Sequence, residues 1–280
     1  MEQNDQSKRL KTDIWSKEDL REIRLKYQKY FEFIDELLKF VPKFLPEGQI
    51  DIEAKKSGVL FATAILALFA KSVKSLRAIK ILCWQGLGSD ANALLRTLLE
   101  CLISLRFIKM EDKEKKATEY FAFCAIQERK LMNAMQNNPK LKYVISEPIR
   151  KVVMDVTEGI KAEMSEEEFE NRYKASHWSG GQIETVAQEV GLKMYYDLAY
   201  RISSRAIHAT DFSDHVKYHN GFKLYILPGD KWHREVLFAS VLFFLLILIE
   251  VNEAFYLRQD EALESFKDRF EQLTQTLDSQ

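Results

Sequence analysis

The sequence predicts an all-α protein, a multi-helix bundle, and three observations lead there. Apolar residues make up 46% of the 280 positions, with 18 Phe, 11 Tyr and 4 Trp, so a sizeable core can be filled. Only 10 Gly and 5 Pro punctuate the chain, too few for a turn-rich β protein or a disordered one. Apolar positions recur every three or four residues through nearly every long segment, the period of an amphipathic helix.

Residues 1–15 read as a polar N-terminal tail and 16–280 as a single all-helical domain. Ser16 followed by Glu18 and Asp19 marks a helix start with acidic residues in its first turn, and Leu20 to Phe40 continues as an amphipathic helix. Pro42, Pro46 and Gly48 place a loop after it, because proline lacks the amide donor and clashes with the preceding turn. Asp51 to Leu82 reads as a core helix that ends near Gly86 and Gly88. Ser89 or Asp90 is suited to cap the next helix, where Leu94, Leu95, Leu98, Leu102, Leu105 and Ile108 form an apolar stripe.

Glu114 to Met135 gives another helix, and Pro139 and Pro148 bracket a loop before Ile149 to Lys161. Ser165, three residues before Glu168, is a capping-box signature. His177 to Gly181 (HWSGG) is a loop, and Gln182 to Val190 a short helix closed by Gly191 in a left-handed conformation. Lys193 to His219 reads as one helix stopping at Asn220-Gly221, before FKLYILPG, the stretch that fits a strand or β-like loop. Trp232 to Arg258 and Ala262 to Leu277 complete the chain as helices.

Val236 to Ile249 carries no charge, but a membrane span needs roughly 20 apolar residues, so it is read as a buried central helix and no membrane partner is expected. Cys83, Cys101 and Cys124 are odd in number and sit in apolar helical stretches, the pattern of reduced core thiols. With a polar start, MEQNDQSKRLKTDIW, that has no apolar signal core, a cytoplasmic location is expected. The net charge of -1 gives no global field toward nucleic acid, so any such binding is local.

The residues with chemical potential cluster late in the chain. Tyr196, Tyr200, Ser204 and His208 are four apart and share one helix face in this reading. Arg201 and Arg205 lie two turns and one turn before His208. A histidine with its pKa near 6.5 serves as general base or acid, and a neighbouring arginine binds phosphate, the two abilities that metal-free RNA cleavage needs. The bland alternative pairs the arginines with carboxylates such as Asp197 and leaves His208 a hydrogen-bonded core residue.

Arg96 and Glu100, one turn apart, either pair with each other or join a polar network with Tyr196, Tyr200 or His208. Trp178 beside Gly180 and Gly181 is a packing plug or a lid on that network. His208, Asp211, His215 and His219 also recur along one face, yet four ligands over eleven residues spread ~16 Å along a straight helix, so no metal site is expected. No Walker loop, G-x-G-x-x-G, H-E-x-x-H or G-x-S-x-G string is present, which leaves acid/base chemistry or binding, with no cofactor expected.

The R-x-x-x-E of Arg96 and Glu100, the W-S-G of the 177–181 loop and the Y-x3-Y-x3-S-x3-H run resemble a bacterial all-helical family of uncharacterised function. The last of these segments is similar to the R-x4-6-H motif of the HEPN (higher eukaryote and prokaryote nucleotide-binding) superfamily, here Arg201, six residues and His208, with Ile202 where a polar residue often follows the arginine. The resemblance implies a HEPN-like helical core with additional helices and a homodimer. It implies a metal-independent endoribonuclease acting on RNA, a toxin or phage-defence effector with an antitoxin or defence-system partner. In that reading Arg201, His208 and Arg205 are catalytic, and Tyr196, Tyr200, Ser204, Arg96, Glu100 and Trp178 line the binding site. The alternative is a non-catalytic helical module that takes a nucleotide, a small ligand or a protein partner in the same pocket.

Overall fold

The computed structural model describes residues 17–45, 50, 55–56, 58–138, 140, 147–162, 165–175, 177–200, 203, 216–218, 222–224 and 232–278. The long apolar segments form helices, and the three most apolar or longest of them occupy the centre. They are α3 (Val59–Trp84), α4 (Gly88–Lys109) and α10 (His233–Phe255), each packed against the other two. Around them lie α1 (Lys17–Lys26), α2 (Gln28–Phe44), α5 (Lys113–Gln136), α6 (Glu147–Ala162), α7 (Glu166–Lys174), α8 (Ile183–Glu189), the short α9 (Lys193–Tyr195) and α11 (Asp260–Asp278). The fold is an all-α multi-helix bundle, as the composition predicts.

The central seam is aliphatic and aromatic. Leu98, Leu102, Ile103, Leu105, Ile65, Leu76, Phe244 and Leu248 are fully or almost fully buried, and each contributes ~1.5–3 kcal/mol relative to an exposed position. Phe244 lies over Phe69 with ring centroids 6.3 Å apart. The uncharged run Val236–Ile249 is the middle of α10, and Val236, Val241, Ile247 and Leu248 are shut away from solvent. Both α3 and α10 are long and apolar enough to cross a membrane, and half or more of the apolar window of each is buried inside the bundle.

Helix ends depend on groups from elsewhere in the fold. The first turn of α3, Val59–Ala62, has no polar side chain, and its preceding residue is Gly58. The carboxylate of Glu114 on α5 reaches across instead. It accepts from Leu60 N at 3.3 Å and Phe61 N at 3.1 Å, placing negative charge at the positive end of the helix dipole. A β-carbon at Gly58, whose φ is +98°, would stand 2.0 Å from a Glu114 carboxylate oxygen. At its other end α3 closes in a Schellman motif, with Gly86 left-handed, Gly86 N donating to Cys83 O at 3.0 Å and Leu87 N to Leu82 O at 2.9 Å. The buried His233 then donates from Nε2 to Cys83 O at 2.9 Å, stacks on Tyr27 at 5.5 Å and fixes the start of α10 beside the end of α3.

Several boundaries differ from the sequence expectation. The helix expected over Leu20–Phe40 is bent at Tyr27 (φ -107°, ψ 15°), and its second part runs through Pro42 to Phe44. Pro42 sits in the last turn, where one missing amide bond costs little, and Phe44 beyond it is fully buried. The long helix α3 starts at Val59, after Gly58, with Asp51 outside the described residues, and α4 starts at Gly88 after Leu87, so that Ser89 and Asp90 lie inside its first turn rather than before it. The helix expected to run from Lys193 to His219 gives way to a strand, Val216–Tyr218, paired antiparallel with Phe222–Leu224, Tyr218 facing Phe222. In sequence Asn-Gly is a strong hairpin dipeptide as well as a helix stop, and Asn220-Gly221 lies between the two paired segments. Cys83 and Cys101 are buried, their thiols pushed up by burial to about 12 and about 11, whereas Cys124 is exposed on α5 rather than in the core.

Replacing Gly58 by Ala imposes a left-handed backbone on an L side chain and displaces the Glu114 carboxylate. A loss of about 1–3 kcal/mol is expected in urea unfolding. Glu114→Gln, which keeps one acceptor oxygen but removes the charge, should cost less than Gly58→Ala, and equal losses would contradict this account.

Candidate functional site

The candidate site begins where α8 ends. Gly191 is left-handed (φ +72°), its N–H donates to Gln188 O at 3.1 Å and Leu192 N–H to Ala187 O at 2.7 Å. This Schellman closure is the one expected from Gly191. The chain turns into α9 and continues as a π-helical turn, Tyr196–Tyr200, packed on α4. Insertion of one residue into a helical turn re-aims the side chains that follow it, and such turns recur at functional sites.

The turn is anchored on several sides. Tyr196 is buried at 7% exposure, and Tyr195 lies edge-on to Phe243 of α10 at 5.7 Å. Lys193 Nζ bridges Asp197 Oδ1 at 2.5 Å and Glu184 Oε1 at 3.1 Å. The hydrogen bond to Asp197, with Glu184 beside it, raises the Lys193 pKa. Asp197, the carboxylate named as a partner for the arginines, therefore has a lysine one turn away.

Beneath this segment lies an ion cluster that the sequence spacing does not reveal. Glu250, in the apolar helix α10, receives Arg106 Nε and Lys109 Nζ, both at 2.6 Å. Lys109 also reaches Glu253 at 2.6 Å, and Arg106 Nη1 donates to Val190 O at 3.2 Å. The cluster thus joins α4 and α10 to the last residue before the Gly191 turn. Its sequence signal is the carboxylate that ends the uncharged run of α10, since a buried charge needs a partner.

The sequence-predicted residues divide into three groups. Arg201, Ser204, Arg205 and His208 lie outside the described residues, as do Asp211, His215 and His219; the backbone of Tyr200 closes the π turn. Arg96 and Glu100 pair with each other, Nε to Oε1 at 2.8 Å, and are 22% and 39% exposed, so they form a partly solvated pair rather than a buried one. Trp178 packs as a plug: it is 6% exposed, its Nε1 donates to Ser104 Oγ at 3.1 Å, and Phe107 and Tyr120 meet its ring edge-on. Ser104 is eight residues from Arg96, ~12 Å along α4, so Trp178 and the Arg96 pair occupy different stretches of that helix.

The loop that carries Trp178 borders a cleft of about 330 Å³ between α5 and α7. His177 Nδ1 accepts from Ser179 N at 3.3 Å and lies 2.9 Å from Ser179 Oγ, which puts the proton of the neutral ring on Nε2. Burial lowers the His177 pKa and favours that neutral form. Arg172 across the cleft is held by Glu119 at 3.3 Å and Glu168 at 3.1 Å. Ser165 caps α7 as expected, accepting from Glu168 N at 3.1 Å. Among the described residues no group of three or more His, Cys, Asp or Glu side chains is arranged to hold a metal ion.

A family model whose description is "Family of unknown function (DUF5677)" matches residues 62–223, more than half of the chain. The matched stretch takes in Arg96, Glu100, Trp178 and residues 193–208. No curated protein and no solved structure matches the chain.

Two measurements follow from this geometry. Glu250→Gln leaves Arg106 and Lys109 facing an uncharged amide in a nearly dry site. A loss of roughly 3 kcal/mol is expected by denaturant unfolding, with faster amide exchange at residues 190–200. The folded pKa of His177 lies below its ordinary value, so the unfolded chain binds more protons just below pH ~6.5. Its contribution to stability is complete above that pH and falls as the medium is acidified through it. His177→Gln should flatten that part of the stability profile, and an unchanged slope would remove His177 from the account.

Proposed function

The chain belongs to DUF5677, a family of unknown function, and we propose that it is a HEPN-like endoribonuclease that cuts RNA without a metal. The observation that carries this reading is Arg201-x6-His208 placed directly after the anchored π turn, within the family's matched stretch. A π turn changes the direction of the residues that follow it, the device by which a helix presents functional groups off its regular stripe. Tyr196, Lys193 and the Arg106–Val190 bond hold the π turn and its approach in place.

In this mechanism His208 takes the proton of a ribose 2′-hydroxyl as the 2′-oxygen attacks the adjacent phosphorus. The new 2′-O–P bond forms as the P–O5′ bond breaks, and the departing 5′-oxygen takes a proton from solvent. Arg201 and Arg205 bind the scissile phosphate and balance the charge that gathers on its non-bridging oxygens. The products are a 2′,3′-cyclic phosphate and a 5′-hydroxyl.

Purified wild type, His208→Ala and Arg201→Ala are incubated with total RNA and tRNA in EDTA, and the fragment ends are identified. Cyclic-phosphate fragments are expected from the wild type, with rates at least ~10²-fold lower in His208→Ala. Intact RNA, or equal cutting by wild type and His208→Ala, overturns the mechanism. RNA bound but left whole favours a helical binding module built on the same residues.

A further inference from the structure

The 26 residues of α3 contain no Asp or Glu, while its second half carries Lys71, Lys74, Arg77 and Lys80. Lys80 is taken by Asp35 at 2.5 Å. Lys71, Lys74 and Arg77 are exposed and have no carboxylate partner among the described residues. In this they differ from Arg106, Lys109, Arg129, Arg172 and Lys193, each of which meets a carboxylate.

Helix geometry sets the shape of the strip. At ~100° per residue, Lys71, Lys74, Arg77, Ile81 and Trp84 fall within one arc of ~140°, and Lys71 to Trp84 extends ~20 Å along the axis. Ala67 and Ala70, also exposed on this face, place no bulk between a ligand and the cations. The far end is aromatic. Trp84 is 37% exposed, Ile81 53%, and the Arg24 guanidinium of α1 lies 4.7 Å over the indole while its Nε donates to Trp84 O at 3.1 Å. That double hold orients Arg24 and leaves its Nη atoms without a partner among the described residues, a pre-set fork for phosphate.

Beside Trp84 opens a groove of about 550 Å³ between α1, α2 and α3, bordered by Arg21, Arg24, Lys80 and Trp84. Of its two carboxylates, Asp35 is paired with Lys80, while Glu32 accepts from Gln28 Nε2 at 2.7 Å and keeps its charge on the α2 side of the groove. A row of exposed cations leading to an aromatic ring and an oriented guanidinium beside a groove is the arrangement that tracks a single-stranded nucleic acid, charge along the backbone and stacking at one base.

We infer that the exposed face of α3, from Lys71 to Trp84 with Arg24, binds the backbone of single-stranded RNA. The choice of RNA among polyanions rests on the proposed ribonuclease function. Between Lys71 and Trp84 the large exposed apolar side chains of α3 are Ile81 and Trp84, at one end, while Val59 and Leu60 stand at the other end of the helix, so this stretch lacks the continuous apolar face that an anionic membrane surface takes up.

The test uses a fluorescent single-stranded oligonucleotide with 2′-O-methyl riboses, which lacks the attacking hydroxyl and so reports binding separately from cleavage. Kd is measured from 50 to 200 mM salt for wild type, for the triple variant Lys71→Gln, Lys74→Gln, Arg77→Gln, and for His208→Ala, with circular dichroism to confirm folding. Each phosphate contact on a single strand adds ~0.7 to the salt slope. The triple variant should therefore lose ~2 from its slope, and the wild type should lose roughly 20-fold more affinity than the variant over that range. Identical slopes overturn the strip, as does binding of phosphatidylserine vesicles in place of the oligonucleotide. The two proposals separate cleanly: strip-dependent binding without RNA cleavage keeps this site and ends the nuclease reading, while RNA cutting undiminished in the triple variant does the reverse.

Discussion

The carboxylate of Glu250 is the constraint on which the middle of the molecule is organised. It ends the uncharged run Val236–Ile249 and is itself buried, and removal of a carboxylate from water costs several kcal/mol unless cations compensate it. Arg106 and Lys109, three residues apart on α4, face Glu250 and Glu253, three residues apart on α10, so two rungs of charge cross the interface. Leu, Ile and Phe side chains on these helices would accept neighbouring registers with modest loss. A slip of one turn toward the start of α4 would set the carboxylate against Leu102 or Ile103, which penalises that register. Since Arg106 also holds Val190 O, the register of the two core helices is passed to the point where the chain enters the π turn.

A second constraint is that helix ends are completed across the fold. The start of α3 depends on Glu114 from α5, and the start of α10 is tied by His233 to a carbonyl at the end of α3. Asn252 plays a similar part at the next corner, accepting from Gln259 N at 3.0 Å and donating to Asp260 at 2.9 Å, which sets α11 on α10. Such ends cannot form before their partners arrive, so the apolar core and the helix termini are parts of one cooperative unit.

This dependence decides which features were legible in the sequence. Local chemistry was readable where the partner is three to five residues away: Ser165 with Glu168, Gly191 closing α8, and the 177–181 loop between two helices. The buried centre of α10 was legible from its uncharged length. The start of α3 was not, because its cap lies 53 and 54 residues away in sequence. The Glu250 cluster spans 144 residues and has no periodic trace. Val216–Tyr218 was misread because helical continuation and a hairpin end alike at Asn-Gly, and strand pairing decides between them. At the candidate site, the plug role favoured for Trp178 follows from area and a single indole donor, whereas the π turn leaves no mark in side-chain spacing.

The charge pattern explains how a chain of net charge -1 can still present a polyanion surface. Beyond ~8 Å at physiological ionic strength the field of an exposed charge is largely screened, so what a phosphate experiences at the surface is set by its immediate neighbours. Elsewhere on the bundle some of those neighbours cancel: Arg172 meets two glutamates and Lys109 meets two more. Along the outer face of α3 the helix supplies no carboxylate, and of the two that α2 brings to the groove beside Trp84, Asp35 is taken by Lys80 and Glu32 accepts from Gln28. The distribution of acids, not the total charge, leaves Lys71, Lys74 and Arg77 without a carboxylate partner among the described residues, and it does so on a helix whose inner face is locked into the core. Cations on a rigid, buried-backed helix lose less freedom on meeting a ligand than cations on a loop, so the same helix that anchors α4 and α10 is also the surface best prepared to hold an extended anion.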